Sequence, residues 1–410
     1  MSALPAFFRG RAARTISDTI VDTLLDWGVD TIFGLPGDGI NGVFEALRQK
    51  ADQIRFIQVR HEEAAAFMAA AHFKYTGQLG VCIATSGPGA IHLLNGLYDA
   101  KLDDAAVLAI TGQTYSDLKG SHYQQEVNLL QLFSDVAGYN EGIWNAGQAE
   151  MVTDLACRHA VSQGTVAHIN IPVDVQDLPP KEKPSLMKPV MTHTSAARTR
   201  YVTVPADQDL QRAADILNQG KRVVILAGKG ALGARSELIA VAERLSAPVV
   251  KALLGKATIP DDHPLNAGGL GLIGTAPAQD AMEECDTLLL IGTTFPYMAW
   301  LPEKRNVAGV QLDLRPERIG LRFPVEVGLV GDAAASLRAL LPKLKRHGDG
   351  LLRKTRKRMK EWNELMRLRG TDPRRPMRPE VVARTLSDLA PRDAVISCDC
   401  GTVTTWLSRQ

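Results

Sequence analysis

Twice along the chain, short runs rich in β-branched and aliphatic residues alternate with helical stretches, and this alternation leaves few architectures open. The first half gives Thr31-Ile32-Phe33, a helical Ile40 to Leu47, then Arg55 to Val59, a helical Glu62 to Tyr75 and Val81 to Thr85, with further strands at Ala106 to Thr111 and Ala167 to Ile171. Strand and helix in strict turn predict a parallel sheet with helices on both faces. A second block repeats the pattern through Arg222 to Ala227, Pro248 to Ala252, Asp286 to Gly292 and Val307 to Leu314, ending near Leu341. Between the blocks, Pro179-Pro180-Lys181-Glu182-Lys183-Pro184 runs into polar residues up to Arg200 with no apolar period, the composition of an interdomain linker. The expected fold class is α/β: two complete doubly wound parallel-sheet domains, 14–180 and 203–342, plus the beginning of a third at 379–410. That third block is expected to open with a helix at Pro379 to Leu389 and a strand at Ala394 to Cys398. The basic stretch before it, with Lys343, Lys345, Arg346, Arg353, Lys354, Arg356, Lys357, Arg358 and Lys360, reads as a solvated helix and linker.

Composition narrows the function classes. The 410 residues are 45% hydrophobic, enough for several cores, and 47 Lys plus Arg against 45 Asp plus Glu give no global field for nucleic acid. Five scattered cysteines (Cys82, Cys157, Cys285, Cys398, Cys400) read as reduced thiols, mostly in the core, and Cys398-Asp399-Cys400 is too tight and too isolated for a metal site. Arg9, Arg11 and Arg14 precede no apolar segment of signal-peptide length, and no later segment reaches transmembrane length, so a cytoplasmic location is expected.

Chemistry concentrates at the strand-to-helix turns. In Arg60-His61-Glu62-Glu63 an acidic pair stands where an apolar strand turns into an Ala-rich helix. The helix dipole favours the ionised form of Glu62, whereas walls of Ala, Phe and Met would raise its proton affinity, and such opposed pressures suit proton exchange. Two glycine-rich turns, Gly34-Leu35-Pro36-Gly37-Asp38-Gly39 and Thr85-Ser86-Gly87-Pro88-Gly89-Ala90, let backbone come close to a ligand. In the second block Gly228-Lys229-Gly230-Ala231-Leu232-Gly233 matches G-x-G-x-x-G between strand and helix, where it would either hold a dinucleotide pyrophosphate or serve as a packing turn.

In this order and spacing the first-block motifs resemble the thiamine-diphosphate-dependent family that includes acetolactate synthase, pyruvate oxidase and pyruvate:quinone oxidoreductase, and the likeness spans nearly the whole chain. The resemblance implies that the first domain binds the aminopyrimidine half of thiamine diphosphate with Glu62 on the pyrimidine ring. A carboxyl hydrogen-bonded there favours the imino tautomer, whose nitrogen removes the thiazolium C2 proton. It further implies Pro88 and Asn95 against the cofactor and Gln125 at the reacting centre. Gln124 departs from the family, which usually has an aromatic residue there. Gly268-Gly269-Leu270-Gly271-Leu272-Ile273-Gly274 and Gly292-Thr293-Thr294-Phe295-Pro296-Tyr297 resemble FAD-contacting segments of the pyruvate:quinone oxidoreductases. Asp313, at a surface-facing strand end, would hold the adenosine part of FAD.

The implied catalytic residues are therefore Glu62 and Gln125. The cofactor set is Glu62, Pro88, Asn95, Gly228, Gly230, Leu270, Gly271, Leu272, Ile273, Thr293, Thr294, Phe295, Pro296, Tyr297 and Asp313, with no metal ligand in the chain. The family's metal and diphosphate motif lies in the third domain; Gly37-Asp38-Gly39 is not that motif, so magnesium is expected only with residues beyond Gln410, and the chain alone is expected to be inactive. The implied activity is oxidative decarboxylation of a 2-oxoacid, pyruvate foremost, with electrons passing through FAD to quinone or oxygen. The alternatives are an acetolactate synthase-like carboligase and a catalytically incomplete flavin-binding subunit. A homo-oligomer, dimer or tetramer, is expected, without nucleic acid, and with peripheral contact to the inner face of the membrane only through a more C-terminal segment.

Overall fold

The computed structural model describes residues 14–181, 202–303 and 306–410, and the chain divides into two compact units, 1–199 and 200–410. Most of the expected linker, residues 182–200, lies outside the described residues.

The first unit holds a six-stranded sheet of β1 (Thr31–Gly34), β2 (Arg55–Gln58), β3 (Gly80–Ala84), β4 (Val107–Gln113), β5 (Ala137–Gly142) and β6 (Val166–Pro172). All pairings are parallel and the order is β2-β1-β3-β4-β6-β5. Because both faces are covered, the central strands read as continuous apolar runs, and successive residues serve opposite cores. Leu108 and Ile110 of β4 point to a core with the helices Ile16–Asp26, Asn41–Gln49 and Ala149–Gln163. Val107 and Ala109 point to another, with Glu62–Thr76 and Leu94–Leu102. The first helix begins on a capping box, in which Thr15 Oγ1 accepts the Asp18 N–H and Asp18 Oδ2 accepts the Thr15 N–H.

The Glu62–Thr76 helix buries only small side chains, Ala65, Ala66, Ala69 and Ala70, besides Glu62. That thin face lets Leu94–Leu102 come very close. A Cβ on Gly96 would lie 2.6 Å from Ala66 Cβ and from the Phe67 nitrogen, so this crossing requires glycine.

The second unit repeats the architecture with β7 (Val223–Ala227), β8 (Val249–Lys251), β9 (Asn266–Gly269), β10 (Thr287–Ile291), β11 (Ala308–Asp313) and β12 (Val327–Val330), in the parallel order β12-β11-β10-β7-β8-β9. Ile225, Leu289, Ile291, Val310 and Leu312 face one core; Val224, Leu226, Leu288 and Leu290 face the other.

Five elements differ from the sequence expectation. The strands β5, β9 and β12 sit at sheet edges, where glycine and polar residues blur the apolar signal. The basic stretch forms the helix Gly350–Gly370, which is more than solvated: Leu351, Leu352 and Met366 are buried, and Lys354 and Arg358 clasp Glu284. The helix Pro379–Leu389 forms as expected, but Ala394 to Cys398 is not a strand. Val395 and Ile396 are 91% and 56% exposed; among the described residues these positions pair with no strand, and an unpaired strand leaves its ladder of N–H and C=O groups without partners. Cys82, Cys157 and Cys285 are buried thiols, whereas Cys398 and Cys400 are exposed; burial pushes Cys82 and Cys285 up to about 12. Among the described residues, no helix is long and apolar enough to cross a membrane.

Candidate functional site

In the first sheet β1 leads outward to β2, while β3 lies on the other side of β1. The order in which successive strands are added therefore reverses between β1 and β3, and the crevice beyond the carboxyl ends of strands at such a point is where open α/β sheets bind ligands. The glycine turns after β1 and β3 meet there. A Cβ on Gly37 would be 2.5 Å from Thr85 Cβ, one on Gly39 would be 2.5 Å from Ser86 Oγ, and the Gly39 N–H donates to Thr85 Oγ1 at 3.0 Å.

Glu62 enters this cluster from the turn after β2, in the first turn of its helix, where His61 is the N-cap and its Nδ1 accepts the Glu63 N–H at 3.3 Å. The Glu62 residue is only 7% exposed. One carboxylate oxygen, Oε1, lies 3.1 Å from where a Cβ on Gly89 would stand; the other, Oε2, is 2.9 Å from His92 Nδ1. The expected apolar wall is only partly present: Ala65, Ala66, Ala69 and Ala70 are buried, but Phe67 and Met68 point outward, because their positions on the helix face away from the sheet. The half-exposed His92 stands against the Glu62 carboxylate.

Pro88 is the first residue of the short helix Pro88–His92. Gln125 comes to the same cluster from the loop after β4. It adopts φ +61°, a left-handed conformation costly for a side chain, and packs on Gly87, where a Cβ would lie 2.7 Å from the Gln125 carbonyl oxygen. Ser86 Oγ donates to Gln125 Oε1 at 3.3 Å. Asn95 is diverted from Glu62: its Nδ2 donates in a very short hydrogen bond to Glu63 Oε1. Gln124 is exposed.

Sequence reasoning missed His92 as a partner of Glu62. The two are 30 residues apart and meet only because the helices carrying them pack together, so no spacing rule announces the pair. His61, Glu62 and His92 each offer a ligating atom within 4.8 Å of the others.

The second sheet has its reversal between β7 and β10. There the G-x-G-x-x-G turn is a packing turn. The Gly228 N–H donates to the Ile291 carbonyl at 2.9 Å and the Gly230 N–H to the Gly292 carbonyl at 3.0 Å, so neither points at a pyrophosphate. A Cβ on Gly230 would lie 2.7 Å from Gly292 Cα, which is why the glycines are needed. The other two segments do come together: a Cβ on Gly271 would contact the Phe295 ring at 3.4 Å, and Phe295 meets Tyr297 edge-on at 5.6 Å. Leu270, Thr293 and Phe295 are buried, with Thr293 Oγ1 accepting the Phe295 N–H at 3.2 Å, while Leu272 and Tyr297 are exposed. Arg409 and Ser408 donate to the Leu272 and Ile273 carbonyls at 2.6 and 3.4 Å. Asp313 ends β11 but is buried rather than surface-facing, its carboxylate accepting the Arg315 N–H at 3.0 Å. The chain turns back over this strand end, which a strand-end rule does not foresee.

Two family models match the chain, the thiamine pyrophosphate enzyme N-terminal TPP binding domain over residues 14–132 and the thiamine pyrophosphate enzyme central domain over 210–340. A putative thiamine pyrophosphate-containing protein, YdaP, of Bacillus subtilis is 41% identical over 399 residues, covering 97% of this chain and 68% of the relative. A pyruvate oxidase of Lactiplantibacillus plantarum is 31% identical, covering 94% of this chain and 63% of the oxidase. An acetolactate synthase large subunit of Corynebacterium glutamicum is 30% identical, covering 98% of this chain and 65% of the synthase. The chain thus spans about two thirds of the length of these relatives.

Proposed function

The chain belongs to the thiamine pyrophosphate enzyme family, and we propose that within it the protein takes part in oxidative decarboxylation of a 2-oxoacid, pyruvate foremost, with thiamine diphosphate at the first sheet and FAD at the second. The observation that carries this is the placement of Glu62, a nearly buried carboxylate among glycine turns at the reversal point of the first sheet. When bound, thiamine diphosphate supplies the carbon nucleophile and electron sink that decarboxylation requires, and FAD a two-electron acceptor.

The residues present fit the aminopyrimidine. Gly89 leaves the space beside Glu62 Oε1 open where any larger side chain would close it. Glu62 would hold the pyrimidine through that oxygen, with Pro88 shaping the wall and Gln125 reaching the substrate side. His92, at 2.9 Å from the other oxygen, would hold the Glu62 carboxyl in place beside the pyrimidine. At the second sheet Gly271, Leu272, Ile273, Thr293, Thr294, Pro296 and Tyr297 supply the surface proposed for FAD. Gly228, Gly230 and Asp313 would act there by shaping the fold, since their polar groups are already engaged.

The test is pyruvate-dependent reduction of an artificial electron acceptor, with thiamine diphosphate, magnesium and FAD, by the protein as it is made in its host. Acceptor reduction supports the oxidase assignment. Formation of acetolactate without acceptor reduction would replace it with the carboligase activity named for the Corynebacterium relative.

A further inference from the structure

We propose that His61, Glu62 and His92 form a binding site for a divalent first-row transition ion of the zinc class, separate from any magnesium that accompanies a diphosphate. The three offer one ligating atom each within 4.8 Å of one another, and among the described residues no other His, Cys, Asp and Glu side chains gather into such a trio.

Little has to move for the ion to enter. In a tetrahedral zinc site, bonds of about 2.0–2.1 Å put neighbouring donor atoms about 3.3 Å apart. His92 Nδ1 and Glu62 Oε2 are 2.9 Å apart, so an ion taking the place of their shared proton widens this pair by only a few tenths of an ångström. The His61 ring stacks on His92 with centroids 4.5 Å apart and planes at 29°, so it must rotate to aim a nitrogen at the same point. The histidine side chains are 52% and 44% exposed, so each can turn once its hydrogen bond, to the Glu63 N–H or to Glu62, is given up, whereas Glu62 is nearly buried. A rigid carboxylate with two adjustable imidazoles suits capture of an ion.

A further group stands behind the trio. Glu63 Oε2 lies 3.8 Å from His61 Nδ1, beyond hydrogen-bond distance, and places a further negative charge beside the trio that favours a cation. Two nitrogens and one oxygen favour zinc, nickel or copper over magnesium, which demands an oxygen shell. A fourth position would take water. Because Glu62 belongs to both arrangements, Oε1 toward the pyrimidine and Oε2 toward the ion, and this step rests on the proposed function, an ion on Oε2 draws charge from the carboxylate and weakens its hold on the pyrimidine, making the site a point of inhibition by transition metals.

Cobalt(II) is the probe, since its visible absorption reports tetrahedral coordination. Titrated into the full chain in magnesium-containing buffer, it should give one equivalent of tetrahedral signal. His61→Ala and His92→Ala should each weaken it by at least about tenfold, the loss that even an outer partner of a metal site produces. Both side chains are half-exposed, so the variants should keep the circular dichroism of the parent chain. Absence of a tetrahedral signal, or a signal indifferent to both substitutions, overturns the site. Weaker binding of thiamine diphosphate to the cobalt-loaded chain than to the cobalt-free one, followed by tryptophan fluorescence, supports the coupling. Cobalt held by the trio while thiamine diphosphate binds with unchanged affinity leaves the metal site standing and overturns the assignment of Glu62 to the pyrimidine.

Discussion

Adjacent glutamates in one helical turn have different surroundings, and this separates their expected roles. Glu62 points into the crevice against Gly89 and His92, whereas Glu63 is about a third exposed and spends its carboxylate on Asn95. In the active protein, Glu62→Gln should cut turnover by a factor on the order of a hundred or more, as for loss of a positioned acid/base group. Glu63→Gln should cost far less, and equal small losses from both would remove Glu62 from its place. A different kind of residue lies within the sheet. His168 is fully buried, its Nδ1–H donating to Asn140 Oδ1 and its Nε2 accepting from Thr111 Oγ1, both at 2.7 Å. Burial drives its pKa down from 6.5 to about 3. The folded state thus keeps the imidazole neutral while the unfolded chain takes up a proton as pH falls through 6.5. This contribution to stability is complete above that pH and declines toward 3, by about 1.4 kcal/mol per pH unit. Denaturant melts of the first unit at pH 7.5 and pH 5 should show this fall, and His168→Gln should flatten it; an unchanged slope in the variant would locate the acid sensitivity elsewhere.

The elements carry the site because one helix is thin. Alanines along Glu62–Thr76 and Gly96 in the facing helix let the segment with His92 and Asn95 approach the acidic pair. Gly96→Val would force the helices apart, with a cost of about 1–3 kcal/mol expected from overpacking. It should also lower activity beyond the loss of folded protein, because His92 would leave Glu62; normal turnover per folded molecule would show that the crossing does not set the site. How far such elements were legible depended on burial. Central strands such as Val81 to Ala84 and Leu288 to Ile291 are covered on both faces, so their sequences are unbroken apolar runs. Edge strands such as Asn266–Gly269 carry no such run, and their existence is decided by a neighbour's free ladder. The candidate site was legible where it rests on local turn chemistry, as at Gly37, Gly87 and Glu62. It was not where contacts join distant segments, as with His92 on Glu62, or where the backbone spends its own donors, as at Gly228 and Gly230.

At the scale of the whole molecule, each sheet has its own pair of apolar cores among the described residues. Each unit therefore has the means to unfold cooperatively as a body of its own, and two-state behaviour should fail for the chain as a whole. This gives a way to ask where each cofactor binds without relying on catalysis. A ligand bound only by a folded unit stabilises that unit by RT ln(1 + [L]/Kd), about 2.7 kcal/mol at a hundredfold excess over Kd. Calorimetry should resolve two transitions, and His168→Gln, whose side chain lies wholly within the first sheet, should mark one of them by shifting it alone. FAD at saturating concentration should raise the other transition and leave the marked one in place. Replacing Gly271 by Val, which would crowd a bulky side chain against Phe295 at the proposed flavin surface, should reduce that rise. FAD that raises the transition marked by His168, or raises neither in a sample that shows both, would move the flavin away from the second sheet and withdraw the oxidase assignment with it.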